Sequence, residues 1–191
     1  MKKIKKKLKS KMGLDGKVKC TLARLKTPKQ WSLNNKIKEI TEKTGKTPMN
    51  LVRKLNEMCE TQIFKYENVT TTAGRTMIMN NLTDPSPDNA IRISYGAVGD
   101  DNTTPVIGDT ALGNETTRKL VGSETNSSST GYITQFYTAA EAIDTHKETG
   151  LFSDATATTD SGVLVIHALI SITKTGTDTL TIDHTIQLSD V

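Results

Sequence analysis

The chain has 191 residues, of which 35% are hydrophobic and only 4% aromatic, a mix that predicts a thin core. This length fits one domain with an extension, or two small units. No run of about 18 apolar residues occurs, so we predict no transmembrane helix and no membrane partner. Its positive start has no apolar region after it, so we do not expect export through a signal peptide. Two cysteines, Cys20 and Cys59, are too few for a disulfide framework, and we expect two reduced thiols.

The net charge of +4 hides two unlike halves. Residues 1–66 hold 19 Lys or Arg and 5 Asp or Glu, whereas residues 67–191 hold 6 and 16. A basic front on an acidic body predicts two surfaces with two different partners. Attraction between the two would also favour assembly of several copies into a homo-oligomer.

Residues 1–16 are predicted to form a basic arm. Ile4, Leu8 and Met12 are spaced by four residues, which allows one amphipathic helical stripe among the lysines. The arm could be solvated, could contact packaged nucleic acid through its ammonium groups, or could contact an acidic protein neighbour. The lysines that we predict to bind a partner are Lys5, Lys6, Lys7 and Lys9.

Residues 17–66 are predicted to be a small helical docking segment. Apolar and polar residues alternate over residues 17–25, which predicts a strand. Two Thr-Pro pairs, at residues 27–28 and 47–48, each predict the start of a helix, because proline lacks the amide that would go unpaired there. A short strand is predicted at residues 62–66.

Two interpretations of this docking segment stay open. Trp31 is predicted to be a buried anchor at a protein interface, since an indole contributes a large contact area. The strand–helix–helix order, with EKTGKTPMNLVRK as its closest part, also resembles a ribbon-helix-helix DNA-binding unit over residues 17–60. That resemblance implies that Lys17, Lys19 and Thr21 would read base edges, and that the protein would be a DNA-binding regulator.

Residues 67–191 are predicted to be a β-sandwich domain with one covering helix through residues 75–82. The first strand after that helix is expected to break at Gly96 and Gly99. Short alternating strands with Thr-rich outer faces are typical of an antiparallel sandwich. Strands are predicted at 91–95, 116–121, 131–138, 148–152, 162–172 and 179–188. The complete prediction is a mainly β fold, an antiparallel β-sandwich preceded by a basic arm and a helical extension.

The stretch YGAVGDDNTTPVIGDTALGNETTRK, at residues 95–119, carries a resemblance. It is similar to a β-rich module of tailed-bacteriophage virion proteins, which reads roughly (A/V)xGxGTTxPxxxDTxLxxEvxR. The resemblance extends to residues 68–75, 148–152 and 173–182, and so covers the C-terminal two-thirds of the chain. Such modules occur in tail fibres, baseplates, necks and head fibres.

This resemblance implies a non-enzymatic structural component of a virion, assembled in the host cytoplasm. The sandwich would attach through the basic N-terminal extension to the neck, tail or capsid. Its partners would be other virion proteins and copies of itself. A bacterial surface adhesin is a third interpretation, which lacks the expected signal peptide.

Candidate sites for chemistry are few. A tight turn at residues 175–176 would place His167 opposite His184, where two imidazoles could hold a metal, but packed or surface histidines are the preferred interpretation. Asp100, Asp101 and Asp109 could bind Ca²⁺, but the EF-hand spacing is absent and we expect them to accept hydrogen bonds from loop amides. The sequence contains no recognisable catalytic motif. We therefore predict no catalytic, metal or cofactor-binding residues.

Overall fold

A computed structural model describes residues 12–84, 86 and 91–190. The elements in this part of the chain are β1 (Met12–Arg24), α1 (Pro28–Thr44), α2 (Met49–Met58), β2 (Glu60–Glu67), β3 (Val69–Thr70), α3 (Thr72–Thr83), β4 (Ile93–Gly99), β5 (Glu115–Leu120), β6 (Ser123–Ser127), β7 (Thr130–Tyr137), β8 (Thr145–Ser153), β9 (Val163–Thr173) and β10 (Asp178–Asp190).

The strands form two antiparallel sheets packed face to face. The first sheet has the order β2-β1-β10-β7-β6, and the second has the order β3-β9-β8-β4-β5. Both contribute apolar side chains to a shared core, which comprises Val18, Cys20, Leu22, Leu180 and Ile182 with Tyr137 from the first sheet, and Val98, Ala168, Ile170 and Ile172 from the second. The predicted antiparallel β-sandwich is confirmed.

Each sheet also has a cover on its outer face. Helices α1 and α2 form a hairpin over the first sheet, where Leu55 packs in a cluster with Phe136 of β7. Residues 100–114 lie over the second sheet. Helix α3 packs along β9, with Met77 against Val165. The sandwich therefore has one more helical cover than the single helix that the sequence predicts.

The predicted boundaries of the N-terminal segments do not separate structural units. Strand β1 begins at Met12, inside the predicted arm of residues 1–16, and lies between β2 and β10 in the middle of the first sheet. Val18 and Cys20 of β1 are buried in the shared core, so the sandwich needs this strand. Residues 17–66 thus supply two strands of the sheet, with the helical hairpin inserted between them.

The predicted start of α1 is confirmed. The Thr27 side chain accepts a hydrogen bond from the Gln30 amide at 3.3 Å, and the Gln30 side chain accepts one from the Thr27 amide at 2.8 Å. This capping box satisfies amides that the first helical turn leaves without partners. Gly45 ends the helix with a φ of 66°, a conformation that glycine adopts at no steric cost.

The predicted break at Gly96 is wrong, because β4 continues through it, whereas the predicted break at Gly99 is confirmed, because β4 ends there. A Cβ atom at Gly96 would lie 2.1 Å from the side chain of Gln135 on the facing sheet. The glycine therefore leaves room for a buried polar side chain between the sheets, and does not end a strand.

The tight turn predicted at residues 175–176 does not join two neighbouring strands. Strand β9 pairs with β3 and β8, whereas β10 pairs with β1 and β7, so the chain crosses from one sheet to the other between them. The Asp178 carboxylate fixes this crossing, since it accepts hydrogen bonds from the Thr175 amide at 3.1 Å and from Arg24 Nε at 2.9 Å.

Candidate functional site

The loop of residues 100–114, which carries the resemblance, is a packed layer on the second sheet. Ala97 and Val98 are adjacent in β4, so their side chains lie on opposite faces of the sheet. Val98 belongs to the shared core, whereas Ala97 lies in a separate outer cluster with Leu112 and Phe152. Leu112 of the loop therefore seals the outer face of the sheet.

A buried histidine clamps this loop to the sheet. His167 on β9 contacts Asp109 Oδ2 through Nδ1 at 2.7 Å and Glu148 Oε2 through Nε2 at 2.9 Å. Glu148 on β8 also accepts hydrogen bonds from the amides of Gly113 and Asn114, at 2.9 and 2.8 Å. The middle and the end of the loop are thereby tied to two central strands.

The clamp favours the charged forms of His167 and Glu148. Burial alone would lower the pKa of His167, but its contacts with Glu148 and Asp109 outweigh burial and leave that pKa raised. Burial would likewise raise the pKa of Glu148, but His167 and the two loop amides outweigh it and leave that pKa lowered. An imidazolium bound by carboxylates is the stable form, which strengthens both hydrogen bonds.

The chemistry open to this clamp is limited by its geometry. Both ring nitrogens of His167 are engaged by carboxylates, so neither is free to take a proton from a substrate. A hollow of about 150 Å³ lies beside the ring and is lined by Asp101, Thr103, Thr104 and Gly113, among others. The arrangement acts as a structural tie between loop and sheet.

The carboxylates that could have bound Ca²⁺ accept hydrogen bonds from groups within the loop. Asp101 accepts hydrogen bonds from the Thr103 amide and hydroxyl, at 2.6 and 2.7 Å, and Asp109 accepts one from the Val106 amide at 2.9 Å. The prediction that these carboxylates bind loop amides is confirmed for Asp101 and Asp109, whereas Asp100 accepts a hydrogen bond from the Asn114 side chain at 2.6 Å. Among the described residues, no group of three or more His, Cys, Asp or Glu side chains is placed to hold a metal ion.

A second buried charge pair holds the end of the same layer. Arg118 makes a bidentate pair with Glu115, with Nε–Oε1 and Nη2–Oε2 distances of 2.7 and 2.6 Å, and the two side chains are 3% and 1% exposed. The guanidinium also donates to the Ser161 carbonyl at 2.8 Å and lies 4.0 Å from the Phe152 ring centroid. It therefore ties residues 154–161 to the loop layer.

The sequence alone does not show that the charged residues of these two clusters come into contact. Glu148 lies among polar residues of β8 and gives no such signal, whereas His167 is a polar residue among apolar neighbours in β9, and a buried ionisable group needs a partner. That signal predicts the need for a partner but does not identify it. Glu115 and Arg118 are three residues apart in β5, and they lie on the same face only because the pairing with β4 shifts register between Val98 and Gly99.

Much of the Trp31 side chain packs against residues of the helical hairpin itself. Its indole is half-buried against the hairpin core, which includes Leu25, Ile37, Val52 and Leu55. The predicted partner anchor is thus in part an anchor of the hairpin itself. The surface of the hairpin is basic, with Lys29, Lys36, Lys43, Lys46, Arg53 and Lys54 exposed.

The ribbon-helix-helix alternative meets a geometric obstacle in β1. That unit reads DNA through a ribbon in which two copies of the strand pair with each other. Here both edges of β1 are already paired within one chain, to β2 and to β10. Lys17 and Lys19 are exposed, but Thr21 is buried beneath the hairpin. Over residues 17–24, which hold the predicted base-reading positions, the strand has no free edge for a second copy.

His167 and His184 belong to different sheets, so they do not face each other on neighbouring strands. The preferred prediction of packed histidines is confirmed, because both residues are buried. His184 lies in the shared core, where its Nε2 is 2.8 Å from the Gln135 amide nitrogen, and the Tyr137 hydroxyl donates to Gln135 Oε1 at 2.9 Å. Burial lowers the pKa of His184 to about 3, so the ring is neutral in the folded protein.

This buried neutral histidine predicts a loss of stability in mild acid. Below pH 6.5 the unfolded chain takes up a proton at His184 and the folded chain does not, so its contribution falls by about 2 kcal/mol between pH 7 and pH 5. We expect the loss of unfolding free energy over this range, measured by urea titration, to be smaller by about that amount in His184→Leu. Equal losses in both proteins would contradict the prediction.

The arm lysines Lys5, Lys6, Lys7 and Lys9 lie outside the described residues. Cys20 and Cys59 are both free thiols, in agreement with the prediction. In the part of the chain that the structure describes, we find no helix whose length and apolar character would allow it to cross a bilayer.

Comparison with protein-family models gives no match, and neither do comparisons with curated proteins and with solved structures.

Proposed function

We propose that this chain is a non-enzymatic structural component of a tailed-phage virion, assembled in the host cytoplasm. The sandwich would attach through its basic N-terminal residues to an acidic neighbour in the neck, tail or capsid. Its partners would be other virion proteins and further copies of itself. No cofactor or metal enters this proposal.

The proposal is supported by what the phage-like stretch of residues 95–119 does in the fold. Four side chains at positions that match the phage-module pattern each hold the loop layer in place. Asp109 binds His167, Leu112 packs on the sheet, and Glu115 pairs with Arg118. A pattern whose residues all fasten a surface layer to a sandwich fits a particle protein better than a catalyst.

The charges of the two outer faces support assembly into a homo-oligomer. The hairpin over residues 26–58 holds eight Lys or Arg and three Glu. On the opposite face, the loop layer of residues 100–114 and the adjoining residues 154–161 together hold five Asp and no Lys or Arg. Opposite faces of opposite charge favour head-to-tail contacts between copies, as in rings or stacks.

The arm is tested by removing its charges. We expect replacement of Lys5, Lys6, Lys7 and Lys9 by Ala to reduce the amount of protein that copurifies with assembled particles by about tenfold, because several exposed ion pairs of a few tenths of a kcal/mol each are lost. Quantitative mass spectrometry of the particles measures this. Urea unfolding of the variant should be unchanged.

A matched control removes four exposed cations elsewhere on the chain, at Lys17, Lys65, Arg75 and Lys147. It changes the net charge equally, so incorporation should stay near the wild-type amount. If both variants lose incorporation alike, overall charge and not the arm is responsible. If neither does, the anchoring role is excluded.

A further inference from the structure

An apolar groove opens between the two sheets at one end of the sandwich. It has a volume of about 320 Å³ and lies beside α3. Its apolar lining comes from α3, both sheets and the start of β4, and comprises Met77, Ile78, Ile91, Ile93, Val165, Ile186 and Leu188. At the rim, Ile91 and Leu188 are 48% and 46% exposed. Apolar side chains from two sheets and a helix are thus left partly in contact with water.

The chain outside the structure begins next to this groove. Met12 pairs with Asp190, and Leu14 pairs with Leu188, which lines the groove. Residues 1–11 therefore join the sandwich at the end where the groove opens. Eleven residues span up to about 36 Å when extended and about 16 Å as a helix, so either form is long enough to return to the groove.

The composition of this segment matches the groove and its rim. Ile4 and Leu8 are its only large apolar residues besides Met1, and their spacing of four places them on one side of a helix. The remaining positions are mostly lysines, whose ammonium groups must stay in water. The rim on the β6–β7 side is polar, formed by Asn126, Ser128, Ser129 and Thr130, and offers hydroxyl and carbonyl acceptors.

We propose that residues 1–11 fold back on the same molecule, with Ile4 and Leu8 in this groove and the lysines along its rim. The segment is covalently attached beside the groove, so its effective concentration there is in the millimolar range, above that of any free partner. The lysines of the arm are then displayed from a fixed edge of the sandwich. This inference holds whether or not the protein is a virion component.

The first test measures how accessible the groove is to 8-anilinonaphthalene-1-sulfonate, a dye that fluoresces on exposed apolar surface. We expect a chain that begins at Met12 to bind about threefold more dye than the full chain. The double variant Ile4→Asp, Leu8→Asp should match the shortened chain, whereas the control Lys65→Asp, Lys147→Asp, at exposed positions away from the segment and the groove, should match the wild type. Equal dye binding by the full and shortened chains would overturn the proposal.

The second test locates the segment without disturbing the groove and keeps the proposal testable if an Asp variant misfolds. In a Cys59→Ser background, oxidation of Leu8→Cys with Ile78→Cys should give a disulfide within one chain. The control pairs Leu8→Cys with Ile143→Cys. Ile143 is exposed beside Gly176, at the other end of β10 and about 30 Å from the groove, so it should give none.

Each other outcome of this oxidation counts against the proposal. A groove disulfide found at dimer mass would assign the groove to the segment of a second copy. Equal yields from both pairs would show that the segment has no preferred place. No disulfide at all, with unchanged dye binding in the shortened chain, would leave the groove to a different protein.

Discussion

Replacing Arg118 by Ala is expected to lower the free energy of unfolding by about 3–5 kcal/mol, the largest effect that we predict for an exchange of one charge. The reason is that Glu115, which is 1% exposed, would keep a buried negative charge without its cation. The variant also loses the bond to the Ser161 carbonyl and the contact with the Phe152 ring. Urea titration at pH 7 measures the change.

A matched control separates burial from pairing. Arg92 makes the same bidentate contact with Glu124, at 3.0 Å for both bonds, but these side chains are 76% and 31% exposed. Arg92→Ala should therefore cost less than about 1 kcal/mol. The double variant Arg118→Met, Glu115→Leu should regain most of the loss, because apolar pairs often replace buried ion pairs without penalty. Similar costs for Arg118→Ala and Arg92→Ala would contradict this account.

Replacing His167 by Gln is expected to cost about 3 kcal/mol at pH 6 and less at pH 9. At pH 6 the imidazolium is the cation between two carboxylates, and its loss leaves Glu148 buried without a counter-charge. The raised pKa of His167 makes its contribution complete below about pH 6.5 and lost as the pH rises through the folded-state pKa. Urea titration at the two pH values measures both costs.

Hydrogen exchange locates the same effect in the loop. The amides of Gly113 and Asn114, which donate to Glu148, should exchange faster in His167→Gln, while amides of β1 and β10 keep their rates relative to global stability. His146→Gln is the control, because burial lowers the pKa of His146 and its contribution does not decline at high pH. A cost for His167→Gln that is the same at pH 6 and pH 9 would exclude the charged clamp.

Local structure was predictable from the sequence where a few adjacent residues determine it. The capping box at Thr27 and Gln30, the cap before α3, and the alternation in β7 and β10 all depend on contacts within one element or its neighbour. The sandwich class follows from those strands together, because alternating faces of that length must be buried against a second layer.

What escaped prediction depends on pairings far apart in sequence. The central place of β1 arises from its ladder with β10, which begins more than 150 residues later. From the sequence alone, Gly96 predicts a break in the strand. Only the structure shows that the Gln135 side chain fills the space that a side chain at position 96 would need. The clamp likewise needs Asp109, Glu148 and His167, which come from a loop and two strands. The spacing of these residues along the chain does not predict that their side chains come into contact.

The central proposal is that this protein is built into a virus particle as a structural component. Quantitative mass spectrometry of virus particles purified from cells that make the protein tests it most directly. The account predicts a fixed copy number per particle, a multiple of the symmetry of a ring or vertex, that survives high-salt washing. Absence of the protein from washed particles, with all of it left in the soluble lysate, would contradict the account.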